Sequence, residues 1–245
     1  MKTDEEALKI KAVEEFFAFH EMLGVSENIG FKPFKKKSAP KEKPKILTPI
    51  KMPETILGIS EEIKKFEGCT LKRFAQNTVI GDGTVPAKIM LIGEAPGEEE
   101  DINGIPFCGR SGRLLEAAMN KFGIFRDKNC YITNSVFWRP PANRKPETEE
   151  LNACRPFLEK MIKIIKPELI IAVGTVSIQN ATFVTKSISE LRRKEFSFKF
   201  LHETQEDYKV ITLYHPSYLL RSPAKKRDLY LDMLWAKREI LGKIL

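Results

Sequence analysis

Three short segments concentrate the residue types that do chemistry on a polar ligand. The first reads Gly93-Glu94-Ala95-Pro96-Gly97 and runs into four successive carboxylates, Glu98, Glu99, Glu100 and Asp101. The second is Thr133-Asn134, followed after three residues by Trp138-Arg139-Pro140-Pro141. The third is Tyr214-His215-Pro216-Ser217. A glycine turn after a strand can cradle phosphate, but four carboxylates would repel it, and neither G-x-x-x-x-G-K-[ST] nor G-x-G-x-x-G occurs. This argues against a nucleotide-phosphate loop. Taken singly, Asn134 reads as a satisfied turn residue and His215 as a capping or packing residue. Their meaning changes only if the fold brings them together.

The surrounding pattern says that it does. Apolar runs at 88–92, 130–136, 168–173 and 210–214 are short and rich in β-branched residues, and helical stretches over about 111–122, 147–166, 175–182 and 224–241 separate them. Pro156 marks a kink or break in the second of these. Strands apolar on both faces and alternating with helices predict an α/β chain, a three-layer α/β/α sandwich around a central four-stranded parallel sheet. In such a sheet the ligand site lies beyond the carboxyl ends of the strands, where all three segments fall.

The 245 residues suffice for one sizeable core plus extras. No stretch approaches the roughly 18 apolar residues of a membrane helix, and the acidic first ten residues do not resemble a leader, so an intracellular, cytoplasmic chain is expected. The formal charge is +8. Residues 32–53 hold eight lysines, one glutamate and five prolines, a balance of +7 that leaves +1 for everything else. Such a tract cannot build a core, so 25–54 is read as a linker, either a plain spacer or a source of affinity for nucleic-acid phosphates through counterion release. Before it, Thr3 and Glu6 form a capping-box pattern, and Leu8, Val13, Phe16, Phe17 and Phe19 make an apolar stripe ending at Gly24. This helix, 1–24, either docks back on the main domain, 55–245, or binds a protein partner.

In order, GEAPGEEED, GIPFCGRSGRLL, YITN, WRPPANRKPETEELNACRPFL, IIAVG and YHPSYLLR resemble the family 4 uracil-DNA glycosylases over about residues 60–240. The resemblance implies a parallel-sheet fold of the same kind and an enzyme that hydrolyses the bond between uracil and deoxyribose in DNA, leaving an abasic site for base-excision repair. In a bacterium such an enzyme would work at the nucleoid, as a monomer. The alternative is an inactive relative that binds uracil-containing or single-stranded DNA.

By the same resemblance the base would be pulled from the stack into a pocket formed by Glu94, Ala95, Pro96, Phe107, Asn134 and His215. Phe107 matches the aromatic platform. Asn134 matches the uracil reader, whose amide can accept from N3–H and donate to O4, where cytosine presents the opposite pattern. His215 matches the donor to O2, where negative charge develops as the bond breaks. Glu94 and Glu100 are the candidates to stabilise the cationic sugar and orient water, while Glu98 and Glu99 read as a solvated face. Arg139, Ser217, Leu219, Leu220, Arg221, Lys225, Lys226 and Arg227 are the expected DNA contacts, an apolar wedge flanked by phosphate-binding cations. Some relatives carry a basic insertion whose histidine attaches to the sugar. Gly109–Leu115 lacks it, so turnover is expected.

The chain has four cysteines, at 69, 108, 130 and 154, too few and too scattered for a disulfide framework. The family resemblance implies a four-iron, four-sulfur cluster on four cysteines, and the matching positions are Phe66, Cys69, Trp138 and Cys154. Two ligands are replaced by large aromatics able to fill the vacated volume, so no cofactor is expected unless other cysteines compensate.

Overall fold

The computed structural model describes residues 53–201 and 207–245. The N-terminal helix expected over 1–24 and nearly all of the tract expected over 25–54 lie outside this range. Within it the chain runs α1 (Ile56–Lys65), β1 (Gly81–Gly83), β2 (Ile89–Gly93), α2 (Glu98–Asn103), α3 (Arg110–Asn120), β3 (Cys130–Asn134), α4 (Thr148–Ile165), β4 (Leu169–Val173), α5 (Thr175–Thr182), α6 (Ile188–Leu191), β5 (Phe196–Ser197), β6 (Lys209–Leu213), α7 (Pro216–Arg221) and α8 (Lys226–Glu239). The first helix starts where Thr55 Oγ1 accepts from the Gly58 amide at 3.1 Å, and Thr at this position satisfies one of the orphan donors of the first turn.

The sheet order is β1-β3-β2-β4-β6-β5. The four apolar runs form its centre as β3, β2, β4 and β6, all mutually parallel. Two short edge strands extend the expected four-stranded sheet to six and make it mixed, since β1 pairs antiparallel with β3 and β5 antiparallel with β6. Gly81-Asp82-Gly83 and Phe196-Ser197 are too short to display a two-residue period, and short edges are how sheets avoid pairing with other chains. From β2 the chain moves to one side for β3 and then to the other for β4. The resulting change of direction at β2 opens a crevice at the carboxyl ends.

Side chains alternate across the sheet into two cores. Met90, Ile92, Tyr131, Ile170, Ala172 and Val210 face α1, α4 and α5, and bury Ile59, Ile63, Leu158 and Ile178 with them. Ile89, Leu91, Ile132, Leu169, Ile171, Ile211 and Leu213 face α3, α7 and α8, and bury Leu115, Met119, Leu219 and Met233. This two-sided burial accounts for the uninterrupted apolar runs. Pro156 does not break α4, which is continuous from Thr148 to Ile165. The proline is exposed, and the carbonyl it leaves unbonded belongs to Asn152, also on the exposed side, where water can satisfy it.

Candidate active site

All four parallel strands end at one cleft of about 710 Å³. Glu94 to Gly97 follow β2, Asn134 ends β3, Gly174 and Thr175 follow β4, and Tyr214 and His215 follow β6. Phe107 enters from the loop between α2 and α3. The three chemically loaded segments of the sequence therefore meet.

Asn134 lies opposite Gly93 in the β2–β3 register. Its side chain is 2% exposed and lines the cleft, and among the described residues it has no hydrogen-bond partner, leaving its oxygen and both N–H groups for a ligand. A Cβ on residue 93 would stand 2.2 Å from Asn134 Oδ1 and 2.6 Å from Cε2 and Cζ of Phe107, so only glycine admits both side chains. Phe107 is 7% exposed and adopts a left-handed backbone (φ 54°), which costs a non-glycine residue roughly 1–2 kcal/mol. Arg126 holds that turn, donating to the Pro106 carbonyl at 2.9 Å while paired with Asp82 at 2.9 Å and Glu116 at 3.2 Å.

His215 caps α7. Its Nδ1 accepts from the Ser217 amide at 3.3 Å and lies 2.7 Å from Ser217 Oγ. A backbone N–H can only donate, so Nδ1 carries the lone pair and a neutral ring holds its proton on Nε2. Neutrality follows from burial, reinforced by the nearby Arg221 charge, which together depress the pKa to about 4. The ring stands 6.3 Å from that of Phe107, tilted by 35°. Behind it, Tyr214 Oη lies 3.2 Å from Ser189 Oγ, and Arg192 stacks on the Tyr214 ring at 4.3 Å while gripping Asp232 at 2.6 and 2.8 Å.

The carboxylates divide by task. Glu94 lines the cleft and has no hydrogen-bond partner among the described residues; burial pushes its pKa up and the charge of Lys145 opposes the shift. Glu100 is engaged at both oxygens, accepting from the Gly97 and Gly109 amides at 3.0 Å each, so it ties two loops together. Asp101 accepts from the Gln76 and Asn77 amides, Glu98 pairs with Arg139 at 3.5 Å, and Glu99 accepts from the Arg110 amide.

The expected DNA contacts scatter more widely. Leu219 is 0% exposed and sits in the core beneath α7, so it has no surface to offer a duplex. It belongs to the packing of the helix, because the face of α7 turned toward the sheet must be apolar. Tyr218, 37% exposed, and the half-buried Leu220 carry the apolar surface beside it. Ser217 is occupied by His215, and Lys225 pairs with Asp228 at 3.1 Å. Arg221, Lys226 and Arg227 are exposed, with Arg221 lining the cleft. Ser111, Asn143, Arg144, Lys145, Ile188 and Ser189 also line it and were not anticipated. Arg144 and Lys145 follow the Arg-Pro-Pro turn directly in sequence, a cue that was available; nothing in the sequence marks α6.

A sequence profile of the uracil-DNA glycosylase superfamily matches residues 80–238. The chain belongs to that superfamily. It is 36% identical over 191 residues to a type-4 uracil-DNA glycosylase of Saccharolobus solfataricus, covering 76% of this chain and 86% of that one. Against the type-4 uracil-DNA glycosylase of Thermotoga maritima the identity is 41% over 165 residues, 67% and 82% of the two chains. A DNA polymerase of Bacillus phage SP01 is 29% identical over 176 residues, 72% of this chain and 18% of the polymerase.

The donor set does not fit the iron–sulfur cluster that the family resemblance implies. Cys69 and Cys154 are buried as neighbours in one core, and the nearby Cys69 sulfur together with burial holds the Cys154 pKa high. Trp138 and Phe66 stand at the other two positions. Trp138 is fully packed, donates Nε1–H to Thr78 Oγ1 at 3.0 Å and meets the Phe137 ring edge-on at 6.0 Å, while Phe66 meets the Phe157 ring edge-on at 4.9 Å. Cys130 belongs to the core on the opposite face of the sheet, where burial pushes its pKa up to about 12, and Cys108 sits in the loop after Phe107. Neither can join the pair. Among the described residues no three metal-binding side chains converge anywhere.

His215 is expected to remain the neutral Nε2–H tautomer across the neutral range and to protonate only near pH about 4. Long-range proton–nitrogen correlation spectra recorded against pH measure this directly, and a midpoint near the ordinary 6.5 would contradict it. Because the unfolded imidazole binds a proton more readily than the folded one, stability linked to His215 is present above pH about 6.5 and is lost as pH falls toward about 4.

Proposed function

We propose that the chain removes uracil from DNA by hydrolysing the N-glycosidic bond of deoxyuridine, the first step of base-excision repair. One observation carries this reading: an unpartnered Asn134 amide, the Phe107 ring, a neutral His215 and a desolvated Glu94 line the same cleft. A flipped uracil stacks on Phe107, Asn134 accepts from its N3–H and donates to its O4, and His215 Nε2–H donates to O2. As the C1′–N1 bond breaks, its electron pair passes to uracil, and the neutral donor stabilises the resulting anion more than the ground state. Ionised Glu94 stabilises the cationic sugar and takes a proton from the water whose oxygen bonds to C1′. Glu100 supports this arrangement by fixing the Gly97 and Gly109 loops. The pocket beside Ala95 and Pro96 selects by shape, and Arg221, Lys226 and Arg227 contact phosphates next to Tyr218 and Leu220.

This hydrolysis needs no diffusible cofactor and no metal. Residues 55–245 form the catalytic domain, the lysines of 25–54 add affinity for DNA phosphates, and the apolar stripe of 1–24 engages either this domain or a protein partner. We assign the activity to a monomer working where the genome lies.

Asn134→Ala and His215→Ala should each slow single-turnover uracil release from an oligonucleotide carrying one deoxyuridine by about 10²-fold or more, since each deletes an interaction with the departing base. Wild-type rates in both variants would overturn the site. Replacing the eight lysines of residues 32–53 with glutamine should flatten the plot of log affinity against log salt, by about 0.9 for each phosphate that is no longer neutralised; an unchanged slope would make the tract a spacer. Protein purified anaerobically should be colourless, and stoichiometric iron and sulfide would refute the cofactor-free assignment.

A further inference from the structure

The loop between β3 and α4 carries three cations whose surroundings differ. Arg139 Nε donates to Asn143 Oδ1 at 2.8 Å, and its guanidinium also faces Glu98. Arg144 grips Glu150 through two nitrogens at 2.8 and 2.6 Å, and Glu150 in turn accepts from the Glu147 amide at 2.8 Å. Lys145 is exposed, and among the described residues its ammonium has neither an ion pair nor a hydrogen bond. It nevertheless lines the cleft with Glu94, Asn134 and His215. The backbone that carries it is constrained. Pro140 and Pro141 stiffen the start of the loop, Ala142 and Asn143 turn it through left-handed backbone (φ 53° each), and the Arg144–Glu150 clamp fastens the preceding residue to the first turn of α4.

A charge held over a cleft in this way needs a reason. The ionisable groups that line the cleft with Glu94 come from four elements: Arg144 and Lys145 on this loop, Glu100 on α2, Tyr214 and His215 after β6, and Tyr218 and Arg221 on α7. Glu100 is already bound by two amides, Arg144 is bound to Glu150, His215 is neutral, and the Arg221 charge acts on His215. Lys145, unpaired and lining the same cleft as Glu94, is then the cation whose charge opposes the effect of burial on that carboxylate. A nucleotide entering the cleft displaces water from Glu94, which favours its uncharged form, yet the proposed chemistry requires the anion. An ammonium on a flexible four-carbon stem can follow the carboxylate without a rigid salt bridge that would block its access to sugar and water.

We propose that Lys145 is a positioning residue whose ammonium keeps the Glu94 carboxylate ionised when a flipped nucleotide fills the cleft. The proposal rests on the role given to Glu94 above.

The test is single-turnover uracil release by the full chain at saturating enzyme, followed from about pH 5 to about pH 9 for the wild type, Lys145→Met, Lys145→Arg and Glu94→Gln. Lys145→Met should move the acid limb of the profile to higher pH, so that release at about pH 5.5 falls several-fold more than release at about pH 8, and Lys145→Arg should restore the wild-type limb. Glu94→Gln should lack the limb altogether. A Lys145→Met profile that is unchanged, or lowered by one factor at every pH as the removal of a phosphate-binding or packing group would give, overturns the proposal while leaving Glu94 in place. A wild-type limb persisting in Glu94→Gln removes the role of Glu94 and this proposal with it.

Discussion

At the carboxyl end of β2 three groups compete for one volume: Oδ1 of Asn134, the ring of Phe107 and whatever stands on residue 93. Glycine resolves the competition by contributing nothing. Its carbonyl is then fixed by three donors, the Ser135 amide at 2.9 Å, Ser135 Oγ at 2.9 Å and Ser177 Oγ at 2.6 Å, which lock the turn into Glu94 against β3 and α5. The same crowding recurs one step away. A Cβ on Gly112 would lie 1.9 Å from the Phe107 carbonyl oxygen, so α3 can press on the Phe107 turn only because it too lacks a side chain there. The base platform and the base reader are thus held in register by two absences and a set of buried hydrogen bonds, and the strained φ of Phe107 persists because Arg126 and Gly112 leave it no alternative.

Burial acts on the two reactive groups in opposite senses. It removes the charge from His215, making it a neutral donor, and it works against the charge on Glu94. Around them the other carboxylates are spent on structure: Glu100 and Asp101 on loop amides, Glu98 on Arg139, Glu99 on the start of α3. The acidic run that dominates the sequence here is therefore mainly scaffold. One residue of the group, Glu94, stays free because it precedes the helix and points into the cleft.

On the other side of the sheet, aromatic packing holds one corner of the fold together. The segment from α1 to Thr78 is held against α4 and the strand-end residues 136–138 by the edge-on contacts of Phe66, Phe137, Trp138 and Phe157, by the Trp138–Thr78 hydrogen bond and by the buried thiol pair. Dense packing of large rings gives this corner its own cohesion, and Trp138 leads directly into the Arg139 to Lys145 loop that walls the cleft.

The order of amino acids already dictates the four central strands, the helices between them and the end of the sheet at which Asn134, Phe107, Glu94 and His215 meet, because two-sided burial writes uninterrupted apolar runs and because strand-end motifs keep their spacing along the chain. The family resemblance, carried along the motifs, also sets Phe66 and Trp138 at two positions where it implies thiols. Sequence alone could not reveal the edge strands, which are too short to carry a period, nor that Leu219 faces the core, since a short helix among polar residues is compatible with either rotation. Which of the clustered charges are occupied is settled only in three dimensions. Glu100 and Glu94 differ little in sequence context, as do Arg144 and Lys145, and the distinction between a tied group and a free one arises only when amides and guanidinium groups from distant elements come within hydrogen-bonding distance. The protonation of His215 is settled in the same way, by the depth of its burial and the direction of the Ser217 amide.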